Sequence, residues 1–169
     1  MIRRAHRKGD APSTALYSDD EAYRYDLTRV WDAGGTRVNF VMLNPSTATE
    51  ARNDPTVERC ERRARALGHG AMRVTNIFAY RATDPREMRA HPEPVGRPEN
   101  DAAIAEAAAW ADMVVCAWGT HGAHLGRGAE VAALLRAGGR RLWTLGLSKA
   151  GHPKHPLYIA YETRPAPWA

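Results

Sequence analysis

Two shortages in the sequence exclude whole classes of protein. Only two of the 169 residues are cysteines, Cys60 and Cys116, and no Cys-x-x-Cys or Cys/His spacing typical of zinc or iron–sulfur sites occurs. No apolar run reaches the length of a membrane-spanning helix. We therefore expect no metal, no cofactor and no membrane partner, core positions for both cysteines, and a reducing, cytoplasmic location. We also expect a monomer.

The remaining composition is that of a basic globular protein. Hydrophobic residues make up 44% of the chain and charged residues 25%, which is typical of one folded domain of this length. The 24 lysines and arginines outnumber the 19 aspartates and glutamates, and the formal net charge is +5. A basic surface favours anionic partners, nucleic acid first, although an arginine-rich composition without such a partner explains the charge equally well.

The order of the predicted elements indicates the fold. Residues 1–13 are predicted to be a flexible arm and residues 15–31 a β-hairpin, within a single domain that spans residues 1–169. Strands and helices then alternate, with strands over 38–43, 72–78, 113–118 and 141–147, helices over 55–67, 99–111 and 127–137, and a long loop over 83–98. This order predicts a three-layer α/β/α sandwich with a four-stranded parallel core sheet and an N-terminal β extension.

Polar side chains follow the predicted strands at one edge of this sheet. The strand over 38–43 ends at Asn44-Pro45, where the proline cannot continue the ladder and holds Asn44 in an extended conformation. The segment HPKHPL at 152–157 likewise holds polar groups between prolines after the last core strand. Because ligands bind at the carboxyl ends of strands in open α/β sheets, we expect an active site at this edge.

Four short motifs carry a resemblance to known families. They are MLNPSTA at 42–48, NIFAYR at 76–81, Trp118-Gly119 and HPLY at 155–158. Over roughly residues 23–161, the chain strongly resembles a bacterial and phage family catalogued as a domain of unknown function. The element order and three of the motifs also resemble the uracil-DNA glycosylase superfamily, which is a looser match. This second resemblance implies a monofunctional DNA glycosylase that hydrolyses the N-glycosidic bond of uracil or another altered pyrimidine in DNA, with single-stranded DNA as an expected substrate.

The glycosylase resemblance also implies roles for individual residues. Asn44 would position the attacking water and His155 would stabilise the leaving base, with His152 as the alternative histidine. Base binding is assigned to residues near the next two strand ends, namely Asn76, Phe78, Tyr80 and Trp118. DNA binding is assigned to loop residues, namely Ser46, Thr47, Arg81, His121, His152, Lys154 and Leu157. Of these, Leu157 would be the wedge that enters the base stack.

These residue types suit hydrolysis of an N-glycosidic bond. The sugar gains oxocarbenium character while the base leaves as an anion, so the water needs positioning more than activation and an uncharged amide suffices. A histidine supplies a hydrogen bond to the leaving base. A carboxamide offers both a donor and an acceptor to the edge of the base, which must be flipped out or single-stranded to be reached.

Other interpretations of the same residues stay open. Asn44 could start a turn, and Asn76 could bond to a loop backbone. Asp54 is interpreted as a helix cap rather than a catalytic acid. The arginines that follow it are interpreted as a solvated helix face, namely Arg59, Arg62 and Arg63. For the whole chain, the alternatives are a nucleic-acid-binding module without catalysis and a hydrolase of small nucleosides or nucleotides.

Overall fold

The computed structural model of the protein describes residues 1–169. Eight strands and four α-helices follow one another along the chain. The strands are β1 (Ile2–Lys8), β2 (Ala11–Tyr17), β3 (Arg24–Val30), β4 (Arg37–Met42), β5 (Ala71–Asn76), β6 (Met113–Cys116), β7 (Leu142–Thr144) and β8 (Ala166–Trp168). The helices are α1 (Pro55–Ala66), α2 (Pro85–Ala90), α3 (Glu99–Trp110) and α4 (Arg127–Ala137), and a 3-10 segment over Thr120–Gly126 precedes α4.

The strands form one mixed sheet in the order β1-β2-β3-β5-β4-β6-β7-β8. β4 pairs in parallel with β5 and β6, and β6 with β7, whereas the other four pairings are antiparallel. The prediction of a sandwich built on a four-stranded parallel core sheet was therefore wrong, because the sheet has eight strands and most of its pairings are antiparallel. The sheet is wider than the predicted four-stranded core because β3 pairs with β5 and β8 pairs with β7. Hydrophobic periodicity identifies strands but does not identify their partners.

The N-terminal residues are part of the sheet. The prediction of a flexible arm over residues 1–13 was wrong, because β1 pairs with β2 along its whole length, from Ile2 opposite Tyr17 to Lys8 opposite Ala11. Gly9, at a φ of +60°, and Asp10 make the two-residue turn between them. Most of β1 is exposed on both faces, so its sequence carries no alternation of apolar and polar residues. The predicted pairing within residues 15–31 was confirmed as the antiparallel pair β2–β3.

Capping residues explain where the helices begin. The prediction of Asp54 as the cap of α1 was confirmed, because its side chain accepts a hydrogen bond from the Val57 N–H and Pro55 follows it. The predicted loop over residues 83–98 contains a short helix that the sequence interpretation missed. That helix, α2, begins after a second Asp-Pro pair, Asp84 and Pro85.

Helices cover both faces of the sheet. On one face, α1 packs Cys60 into a core cluster with Phe40 of β4. On the other face, α3 and α4 pack Ile104 and Val131 against Val41, the next residue of β4. Successive residues of a strand point to opposite faces, so β4 contributes to both clusters.

Both cysteines are core residues, as the sequence predicts. Cys60 and Cys116 are fully buried, and burial raises the pKa of each thiol to about 12. Neither cysteine is therefore a thiolate near neutral pH.

The carboxyl ends of three parallel strands meet at one edge of the sheet. Met42, the last residue of β4, pairs with Asn76, the last residue of β5, and Val41 pairs with Cys116 at the end of β6. The loops that follow these strands therefore emerge side by side. None of the helices is both long and apolar enough to cross a membrane.

Candidate functional site

A cleft of about 500 Å³ opens at this edge of the sheet. Seven of the residues predicted to act in catalysis, base binding or DNA binding line it, namely Asn44, Ser46, Asn76, Trp118, His121, His155 and Leu157. The lining residues that were not predicted as site residues include Arg24, Asp54 and Tyr158. The cleft is large enough for a nucleobase and its sugar, since small-molecule sites occupy roughly 300–1,000 Å³.

Two of the aromatic residues assigned to base stacking lie elsewhere. Phe78 is fully buried in the core cluster formed with α3 and α4, where its ring packs against His124. Tyr80 stacks on His91, with 3.8 Å between the ring centroids. The assignment of these two rings to base stacking in the cleft is therefore corrected, and Trp118 is the member of that set that lines it.

The predicted DNA-binding residues divide between three places. Thr47 is exposed outside the cleft, and Arg81 lies over the Tyr17 ring while donating to the Glu21 carbonyl oxygen. His152 and Lys154 line a second depression of about 240 Å³. This depression shares Gly119, Thr120 and His155 with the cleft, so the two adjoin each other.

Asn44 is held by its amide nitrogen. The Nδ2 group donates to the carbonyl oxygens of Pro45, at 3.2 Å, and Ala82, at 2.8 Å, and thereby ties together the loops that follow β4 and β5. Both hydrogens of the amide are used in this way. The side-chain oxygen of Asn44 receives no hydrogen bond from the protein, so the cleft is offered an acceptor at this position.

His155 is held by its Nδ1 atom. This nitrogen accepts a hydrogen bond from the Leu157 N–H at 3.3 Å, which places the ring proton on Nε2. Burial lowers the pKa of His155, and the negative charge of Asp54 opposes that shift without cancelling it. The imidazole is therefore neutral at pH 7, and its Nε2–H is a donor without a protein partner. Gly119 lies against His155, and its φ of +75° favours glycine at this position.

Asn76 is held by its side-chain oxygen. Oδ1 accepts a hydrogen bond from Nη2 of Arg24 at 3.4 Å, while Nη1 of Arg24 donates to the Ala48 carbonyl oxygen at 2.9 Å. Asn76 is 2% exposed and lines the cleft. Its Nδ2 group has no hydrogen-bond partner in the protein, so it is available to donate to a ligand in the cleft.

Both carboxylate oxygens of Asp54 accept hydrogen bonds from the backbone. Its Oδ1 accepts from the Val57 N–H at 2.9 Å, and its Oδ2 accepts from the Ala48 N–H at 3.2 Å. Ala48 is thus held at its N–H by Asp54 and at its carbonyl by Arg24. The carboxylate organises the loop before α1 and supplies a negative charge beside Arg24 and His155.

Arg24 is the functional candidate that sequence reasoning missed. Burial lowers its pKa to about 10, with Asp54 opposing the shift, so the guanidinium is still charged at pH 7. Its signal in the sequence is weak: it is an arginine between Tyr23 and Tyr25 at the start of a strand that also contains Asp26 and Arg29. No group of three or more His, Cys, Asp or Glu side chains is placed to hold a metal ion.

Comparison with known proteins gives one match. A family model described as "Protein of unknown function (DUF1643)" matches residues 24–157. The matched span begins at Arg24 and ends at Leu157, so it contains every residue that lines the cleft except Tyr158. No curated protein and no solved structure gives a significant match. Nothing in these comparisons links the chain to the uracil-DNA glycosylase superfamily.

Proposed function

Since the chain belongs to the DUF1643 family of proteins of unknown function, its activity has to be inferred from the cleft, and we propose that it hydrolyses the N-glycosidic bond of uracil or another altered pyrimidine in DNA. One observation carries this proposal. Three polar groups without protein partners line the same cleft, namely the side-chain oxygen of Asn44, the side-chain nitrogen of Asn76 and Nε2–H of His155.

These three groups match the needs of the reaction. The side-chain oxygen of Asn44 accepts a hydrogen bond from a water molecule. This bond orients the water so that a lone pair of the water oxygen faces C1′ of the sugar. The new C1′–O bond forms as the C1′–N bond breaks, and the bonding electrons leave with the base. A neutral amide takes up no proton, so the proton of the water passes to solvent or to the departing base.

The leaving base is stabilised by donors. Its negative charge develops on ring nitrogens and carbonyl oxygens, and the N–H groups of His155 and Asn76 donate to such oxygens. A neutral histidine is a sufficient donor here, because the guanidinium of Arg24 already supplies positive charge behind Asn76.

Access to the base favours a single strand or a flipped nucleotide. A stacked and paired base cannot enter a cleft of this size together with its duplex. Leu157 and the 91%-exposed Tyr158 line the cleft, and in this proposal they contact the neighbouring bases. The net charge of +5 favours a polyanionic substrate over a neutral nucleoside.

The experiment is base release from oligonucleotides that carry a single uracil, followed by alkali to cut abasic sites. Single- and double-stranded substrates and a panel of modified pyrimidines are tested with the parent protein, Asn44→Ala, His155→Ala and the control His6→Ala, which changes an exposed residue of β1. We expect the cleft variants to lose roughly 10²–10³-fold in single-turnover rate and the control to match the parent.

Other outcomes identify the alternatives. Release by the parent that survives both cleft substitutions would place the chemistry outside this cleft. No release from any substrate, together with retained binding of DNA, would indicate a nucleic-acid-binding module. Release from free nucleosides alone would indicate a small-molecule hydrolase.

A further inference from the structure

Arg24 is a buried cation that forms no ion pair. Its side chain is 1% exposed, makes only two hydrogen bonds, to Ala48 and Asn76, and leaves Nε without a partner. Three other arginines are fully buried. Arg29 and Arg127 form ion pairs with carboxylates, whereas Arg63 forms none and donates to backbone carbonyl oxygens. Of these four buried arginines, Arg24 is the one that lines the cleft and donates to a side chain of the cleft, which points to a role there beyond packing.

The chemistry of a guanidinium determines which end of Asn76 faces the ligand. An arginine only donates hydrogen bonds, so the group that Asn76 turns toward Arg24 must be its oxygen. The amide nitrogen of Asn76 then faces the cleft. Without Arg24, the two ends of the amide are similar in shape, and rotation of the side chain by half a turn would present the oxygen instead.

We infer that Arg24 is a positioning residue that fixes the Asn76 amide and thereby makes the cleft select bases with a carbonyl group over bases with an amino group at the position facing Asn76. This inference rests on the proposed function. A carbonyl oxygen accepts a hydrogen bond from Nδ2 of Asn76. An amino group at the same position sets donor against donor and leaves both desolvated, which disfavours the amino base by about 10- to 100-fold.

The test measures the affinity of the parent protein and of Arg24→Met for uracil and cytosine by calorimetry, alongside base release from DNA. Methionine keeps much of the arginine volume but neither donates strongly nor carries charge. We expect the parent to prefer uracil by at least about 10-fold and Arg24→Met to bind the two bases within about threefold of each other. A structural role alone would weaken both affinities without changing their ratio.

Arg29→Met is the matched control. Arg29 is also fully buried and anchors the same loop, through the carbonyl oxygens of Thr49, Glu50 and Arg52, but it does not contact Asn76. We expect Arg29→Met to be less stable than the parent and to keep the uracil preference. Loss of the preference in both variants would show that loop disorder is the cause and would overturn the inference.

A measurement on the unchanged protein covers the case in which Arg24→Met does not fold. In ¹⁵N-labelled protein, the side-chain NH₂ signal of Asn76 should shift on addition of uracil and stay in place on addition of cytosine. Equal shifts, or none with uracil bound, would overturn the inference. If the parent prefers uracil and Arg24→Met keeps the same preference, the role inferred for Arg24 is wrong but the proposed function stands. If the parent binds neither base and releases none from DNA, both the proposed function and this inference are wrong.

Discussion

At the residue scale, the direction of each hydrogen bond decides what the cleft offers to a ligand. Asn44 and Asn76 have the same side chain, yet one is held by its nitrogen and the other by its oxygen. The first therefore presents an acceptor and the second a donor. His155 presents a donor for the same kind of reason, because a backbone N–H occupies its other ring nitrogen. Identical residue types thus acquire different roles from their fixed neighbours.

The lowered pKa of His155 predicts a pH-dependent contribution to stability. Burial favours the neutral ring, so the folded protein binds a proton less readily than the unfolded chain, whose histidine has a pKa near 6.5. The stabilisation is therefore present above about pH 6.5 and is lost as the pH falls through the lower value of the folded state. We expect the difference in free energy of unfolding between the parent and His155→Gln to shrink between pH 7.5 and 5.

Urea denaturation across this pH range checks the expectation. His69→Gln is a useful companion, because burial also lowers the pKa of His69, away from the cleft, and the same trend should appear. A difference between the parent and His155→Gln that stays constant from pH 7.5 to 5 would contradict the lowered pKa of the buried His155 ring.

At the scale of elements, local sequence signals predicted the helices well, but they did not predict which strands pair. The Asp-Pro start of α1 and the glycines after the predicted helices are local, so the boundaries of α1, α3 and α4 followed from the sequence to within a few residues. The width of the sheet depends on which strands pair. Most residues of β1 and β8 are exposed, so their sequences lack the apolar pattern that would indicate a strand in the sheet. These edge strands are held mainly by backbone hydrogen bonds, which every residue type except proline can make.

The candidate site shows the same contrast between residues that the local sequence predicts and residues that depend on strand pairing. Asn44, Asn76 and His155 were predicted to meet because each lies at or after the carboxyl end of a core strand, and that arrangement follows from the order of the elements. Arg24 enters the cleft from β3, an antiparallel neighbour of β5 whose pairing no local pattern reveals. The residue that orients Asn76 was therefore hidden until the strand order was known.

Helix α1 holds the segment that carries the rim of the cleft. Arg63 was interpreted as part of a solvated face, but it is fully buried and donates to the carbonyl oxygens of Ile159, Ala160 and Thr163. These carbonyls follow directly after Leu157 and Tyr158. Tyr158 has a φ of +75°, which is unfavourable for a residue with a side chain, and the anchored carbonyls beyond it help to fix that conformation.

Removal of this anchor should affect both stability and activity. Arg63→Met removes the three hydrogen bonds of a buried guanidinium and leaves the Thr163 carbonyl oxygen without a donor, and we expect a loss of roughly 1–3 kcal/mol in the free energy of unfolding. Weaker binding of single-stranded DNA should accompany it, because Leu157 and Tyr158 lose their fixed positions. Urea denaturation and fluorescence anisotropy measure the two effects. Arg62→Met, which changes an exposed neighbour on the same helix, should match the parent in both, and equal behaviour of the two variants would contradict the anchoring role.

At the scale of the whole molecule, the second depression adjoins the cleft, and the proposed function would use it for the rest of a polynucleotide. It carries Lys154 and His152, and neither forms an ion pair with a carboxylate of the protein. A base held in the cleft therefore has basic groups beyond His155, where the next phosphate of a strand would lie. The net charge of +5 acts over a longer range and favours the approach of the same polyanion.

This arrangement predicts different salt dependences for DNA and for a nucleoside. With about three or four phosphates contacted on a single strand, raising KCl from 50 to 200 mM should reduce the second-order rate constant of base release by about 20- to 50-fold. A neutral nucleoside releases no counterions, so any activity on deoxyuridine should change by less than about twofold. Lys154→Ala should lower the logarithmic salt slope by roughly 0.7, whereas Arg7→Ala, at an exposed position on β1, should leave it unchanged. A flat salt profile with DNA as the substrate would favour a small-molecule hydrolase, because the cleft would then bind the nucleoside without contacts to the backbone.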